Sequence, residues 1–183
     1  MQAQSAATKR ESLSEGRRPG LLARLLLSWV LALASWVAWG DSEYPELDEV
    51  RHITQGARPP GVVFLIMEED ETAYEWVVPR LLRYVALLRE PWPDLPIAVI
   101  SHGEEMFALL ASNADVYASF HAAIRSLVTE QGVDFQLCGA YARDAGVDES
   151  EFVDFVEVVP SAPAQITDYR MLDYRVISLE PTW

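Results

Sequence analysis

Three strand-forming runs, Val62–Met67, Ile97–Ile100 and Val133–Cys138, constrain this chain more than any other feature; the first two are β-branched or apolar throughout, whereas the third carries Asp134 and Gln136. A run that is apolar at every position, not at alternate ones, suits a strand buried on both faces, as in a parallel sheet covered by helices. Between the first two runs, Thr72-Ala73-Tyr74-Glu75 has capping-box spacing, and Leu81, Val85 and Leu88 keep a helical period that Pro79 interrupts. Pro91-Trp92-Pro93-Asp94 then breaks the chain. A short helix through Phe107 and Leu110 follows the second run. Asp115 is placed to cap a longer one, with Val116, Phe120, Ala123, Leu127 and Val128 as its apolar stripe and Gly132 as its stop. After the third run come a helical stretch from Gly139 to Gly146, a short strand over Val156–Val159, a helix over Pro163–Leu172 and a fifth strand over Tyr174–Leu179. Five strands alternating with helices predict an α/β fold with a mainly parallel sheet, helices on both faces and right-handed crossovers.

The folded domain is expected over 61–183. Ahead of it, residues 41–60 are acidic, lack a sustained apolar period and end in Arg58-Pro59-Pro60-Gly61, which reads as a linker. Residues 1–40 place a basic start before Leu21–Trp39, an apolar stretch broken only by Arg24, in the order of an export signal. The unbroken part, Leu25–Trp39, is shorter than the roughly 20 residues that span a bilayer, which favours a cleaved signal peptide. An anchor remains the alternative, with Arg24 snorkelling to lengthen the span. Either way the expected location is periplasmic or extracellular, with membrane contact only through the N-terminal segment.

Five of the 14 bases and two of the 28 acids lie in residues 1–40, leaving nine bases against 26 acids and a net charge of -17 for 41–183. A field of that sign repels phosphate backbones and anionic headgroups, which excludes nucleic acid as a partner of the domain. The single cysteine, Cys138, cannot form an internal disulfide.

Ligands of open α/β sheets sit beyond the carboxyl ends of the strands. The candidates are therefore Glu68 and the acids after it at the end of strand one, Ser101-His102-Gly103 at the end of strand two, and Cys138-Gly139 at the end of strand three. With a 2-1-3-4-5 order the ends of strands two and three stand about 10 Å apart, and His102 reaches Cys138 only by leaning across strand one. A reactive thiol and a buried structural one both remain open. His52, His102 and His121 are too dispersed for a metal site, and four consecutive acids are more often a solvated helix start than a cation site. No glycine-rich phosphate loop, Gly-x-Ser-x-Gly elbow or Cys-x-x-Cys pair is present, so no cofactor or metal is expected.

From Val62 to Pro181 the chain resembles the DsrE/DsrF-like (YchN-like) family. The resemblance rests on the opening strand, on Ala98-Val99-Ile100-Ser101-His102-Gly103 with Leu109-Leu110 behind it, on Val133–Cys138, on Val156–Ser161 and on the closing Tyr174–Pro181. It implies a three-layer α/β sandwich, homo-oligomers and, in some members, a cysteine at the Cys138 position that relays sulfane sulfur between partner proteins as a persulfide. On that reading Cys138 is the acceptor, His102 its polar neighbour, and Glu68, Ser101, Gly103 and Gly139 line the ligand. The alternative is a non-enzymatic binding or assembly module in which Cys138 packs. Two departures stand out: this chain has an export segment, and Tyr169-Arg170 with Asp173 replaces a segment that usually reads Leu-Gln before a glycine.

Overall fold

A computed structural model describes residues 44–181. The signal or anchor expected over 1–40 lies outside them, and no helix among the described residues is long and apolar enough to cross a membrane.

Five strands form one parallel sheet: β1 (Val62–Ile66), β2 (Ile97–Ser101), β3 (Asp134–Cys138), β4 (Glu157–Val159) and β5 (Arg175–Ser178). Their order is β4-β3-β2-β1-β5. The chain steps three times in one direction and then returns past every strand to add β5 beside β1. Right-handed crossovers put the outbound helices on one face and the returning helix on the other. Accordingly, Phe135 on β3 meets Tyr74 of α2 (Tyr74–Arg89), and Tyr74 meets Phe120 of α3 (Ala118–Thr129). Gln136, the next residue of β3, instead accepts from Tyr169 of α5 (Ala162–Met171), which follows the short α4 (Gly139–Asp144), on the opposite face. The fold class expected from the apolar runs is therefore the one observed, with strand boundaries shifted by a residue at most ends.

Three local expectations are corrected. The segment expected to be a linker contains a helix, α1 (Pro45–Gln55), preceding α2 in the chain and packed on it. Leu47, Val50 and Ile53 are buried at i, i+3, i+6, a stripe too short and too diluted by acids to show as a period. The helix is pinned by a buried ion pair, Glu46 Oε1 to Arg80 Nη1 at 2.8 Å, while the Tyr44 and Trp76 rings lie on the Arg80 guanidinium. Second, Asp70, not Thr72, caps the start of the α2 region, its Oδ1 accepting from Thr72 N at 2.8 Å. Third, α3 starts after Asp115 and is rotated from the expected stripe. His121, Ile124 and Leu127 are buried while Val116 is exposed. Burying His121 is tolerable because Nε2 donates to the Ala108 carbonyl at 2.7 Å.

Candidate functional site

The carboxyl ends of β1 and β2 are tied by a residue that sequence reasoning passed over, Glu105. It sits in a 3-10 turn (Glu104–Leu109) directly after β2 and has no exposed surface. Its Oε1 accepts from the Ser101 hydroxyl at 2.7 Å, His102 N at 3.0 Å and Gly103 N at 3.2 Å, and its Oε2 accepts from Glu68 N at 2.8 Å. A carboxylate only accepts, so Ser101 must donate to it; the Tyr74 hydroxyl, 2.9 Å from Ser101 Oγ, then donates in turn. Burial, and next the charge of Glu105, hold the Tyr74 phenol protonated well above its ordinary range, as this donor role requires. Gly103 is obligatory here. A methyl on it would collide with the backbone of Glu68 and the carboxylate of Glu105.

The outer surface of this rim is acidic. Glu69, Asp70 and Glu104 are exposed, Glu68 and Glu71 half-buried. Partial burial and then the neighbouring charges of Glu105, Glu180 and Glu69 push the Glu68 carboxyl up. Two phenols bridge the acids, Tyr117 to Glu71 Oε2 at 3.2 Å and Tyr141 to Glu104 Oε1 at 2.8 Å.

β2 is flanked by β1 and β3, so strand two, not strand one, is the middle member of the three candidate ends. Ser101 pairs with Leu137, and His102 and Cys138 follow them on adjacent strands about 4.8 Å apart. The expected 10 Å gap is thus halved, yet no hydrogen bond joins the two side chains. His102 turns edge-on to Tyr141, ring centroids 5.7 Å apart, and its Nδ1 is buried without a partner. Cys138 turns to the α5 face. It has no exposed surface, and Sγ accepts from Ala162 N, the first residue of α5, at 3.4 Å.

The comparisons bear on the fold. No protein-family model matches the sequence, and no curated protein matches it. Among solved structures, a protein of unknown function from Methanobacterium thermoautotrophicum aligns at TM-score 0.51 and 22% identity, over 64% of this chain and 96% of that one. A conserved protein of unknown function from Bacteroides thetaiotaomicron aligns over 68% and 100% (TM-score 0.46, 15% identity), and the ychN protein of E. coli over 65% and 99% (TM-score 0.46, 15% identity). The chain shares its fold with the Methanobacterium protein. At these identities the likeness is one of fold alone, so the site rests on this chain's own geometry.

Within this fold, the expected ligand residues divide. Ser101, Gly103 and the backbone of Glu68 converge on Glu105, whereas Gly139 stands one strand away. Gly139 is a close-packing position, since a methyl there would press on the Val159 carbonyl, the Arg143 guanidinium and Val158. Beside it lies a surface cavity of about 470 Å³ lined by Gly139, Ala142, Arg143 and the turn that follows. Among the described residues no group of three or more potential metal ligands is assembled. The signal that could have found Glu105 is an acid adjoining the apolar run Met106–Leu110, immediately past a strand. An acid so placed must find donors, and the strand ends supply them.

Proposed function

We propose that the YchN-like domain is a non-catalytic binding and assembly module, exported by its N-terminal segment, whose acidic C-terminal rim engages a cationic protein partner. The burial of Cys138 carries this reading. A sulfur atom with no exposed surface, spent as acceptor for Ala162 N, is placed to pack and not to exchange. The rim supports the same reading, because the donors that would grip a small anionic ligand at the strand ends are consumed by Glu105. Homo-oligomerisation, common in proteins this chain resembles, belongs to the proposal.

One observation favours the sulfur-relay reading: the N–H that meets Cys138 Sγ opens a ten-residue helix, whose dipole favours negative charge on sulfur. In that reaction the Cys138 thiolate attacks a polysulfide. The donor S–S bond breaks, the shortened polysulfide leaves with the electron pair, and Cys138 becomes a persulfide.

Intact-mass measurement after incubation of the full-length chain with polysulfide, beside timed alkylation, separates the two. The packing reading expects no adduct on the native protein and alkylation only after denaturation. A stoichiometric gain of about 32 Da, one sulfur atom, that is absent from Cys138→Ser, establishes the relay instead.

A further inference from the structure

At the opposite end of the sheet, where the strands begin, the charge pattern inverts. A surface cavity of about 480 Å³ is lined by Arg58, Arg170, Arg175, Asp173, Tyr174 and the Ala57–Pro60 turn. Three of the nine arginines of residues 41–183, but only one of the 26 acids, meet here. The fold delivers the three from separate segments. Arg58 comes from the loop leading into β1, Arg170 from the last turn of α5 and Arg175 from the first residue of β5. Arg175 is held in place by pairing with Val62 and by its N–H, which donates to the Gly61 carbonyl at 3.0 Å. The Tyr174 ring lies so close over Gly61 that a methyl there would collide with it.

Two of these three guanidiniums are not used up by the described residues. Arg58 is partnered, its Nη2 3.1 Å from Asp94 Oδ1. The guanidiniums of Arg170 and Arg175 make no hydrogen bond or ion pair among the described residues, not even with Asp173 in the same cavity. Asp173 is also the only non-glycine residue described with positive φ, 59°, at the end of α5 where glycine is the usual choice. A strained residue inside a cavity is a pointer to function.

Bland explanations exist for single arginines: a base suits a helix C-terminus, and a charge suits an edge strand. Neither accounts for three converging in a domain this acidic. We infer that this cavity is an oxyanion site, in which the Arg170 and Arg175 forks bind a phosphate or carboxylate group of a small ligand, with Arg58 at its edge. Arginine suits the role because its planar donors match both groups in bidentate fashion. This site lies at the other end of the sheet from the rim and from Cys138, so it stands or falls independently of the reading above.

Calorimetric titration of the full-length chain with inorganic pyrophosphate, and separately with malonate, at constant ionic strength tests the site. Saturable binding of either probe is expected, and whichever binds more tightly identifies the preferred group. Arg170→Gln/Arg175→Gln is expected to weaken it by about tenfold or more, and Arg125→Gln, on α3, to leave it unchanged. Both variants alter exposed side chains, and an unchanged melting temperature confirms that they fold. No saturable heat with either probe, or equal affinity in the double variant and the unmodified chain, overturns the inference.

Discussion

The two ends of the sheet handle polar groups in opposite ways. At the C-terminal end a single internal carboxylate, Glu105, saturates the donors of two strand ends, so the interior is closed and only the acidic outer surface is presented. At the N-terminal end two guanidiniums are left without partners among the described residues, around a cavity. In this fold class the carboxyl ends of the strands are the usual place for a ligand. The contrast teaches that the usual place is not decided by topology alone. A rim whose donors are already taken has nothing to offer a small anion, whereas unused donors elsewhere do.

The largest expected effect comes from emptying the closed end. Glu105→Ala removes the shared acceptor of the Ser101 hydroxyl and of the Gly103 and Glu68 N–H groups, while His102 N keeps the Ile66 carbonyl, and should lower stability by roughly 2–4 kcal/mol, read as a fall in the urea midpoint at unchanged m. Glu105→Gln, which keeps the shape and half the acceptors, should lose less. A change below about 1 kcal/mol in Glu105→Ala would break the comparison, because the donors would then have other partners.

A smaller effect sharpens the open end. Asp173→Gly removes the left-handed strain and should raise stability by about 1 kcal/mol, while also deleting the one carboxylate lining the arginine cavity. Pyrophosphate or malonate should then bind more tightly, and weaker binding would show that Asp173 belongs to the site's architecture.

The smallest effect is one of pH. Burial and like charges raise the Glu68 carboxyl in the folded state, so the folded chain holds that proton more tightly than the unfolded one. Stability from this group is therefore gained as pH falls through the raised value towards the ordinary one and lost as pH rises through the same window. Glu68→Gln should flatten that slope and stabilise the protein slightly at neutral pH, by well under about 1 kcal/mol because the group is largely solvated. Melting temperatures between pH 4 and 7 check it, and an unchanged slope would mean that Glu68 does not feel the rim.

Most of the architecture was legible in the residues. Val62–Met67 and Ile97–Ile100 announce buried strands because a layer covered on both sides favours apolar residues at every position, while Val133–Cys138 admits Asp134 and Gln136 and is the weaker signal. The helix of residues 45–55 was not legible, because five of its eleven residues are acidic or basic and one of them, Glu46, is itself buried. Its burial depends on Arg80, more than thirty residues away, and no local period reports such a partner. The site is less legible in the residues than the fold. The residues mark the right segments, Glu68, Ser101-His102-Gly103 and Cys138-Gly139, but not Glu105, which organises two of them, nor the strand order that sets their spacing.

What the sequence by itself determined is the alternation of strands and helices, the acidic balance of the domain and the single thiol, since each follows from composition and local period. Only the tertiary structure decided that β2 lies between β1 and β3, that Cys138 turns inward to Ala162, and that arginines from three segments meet at one cavity. Local patterns report whether a side chain is buried. Which partner it meets there is set by crossovers that join residues far apart in the chain.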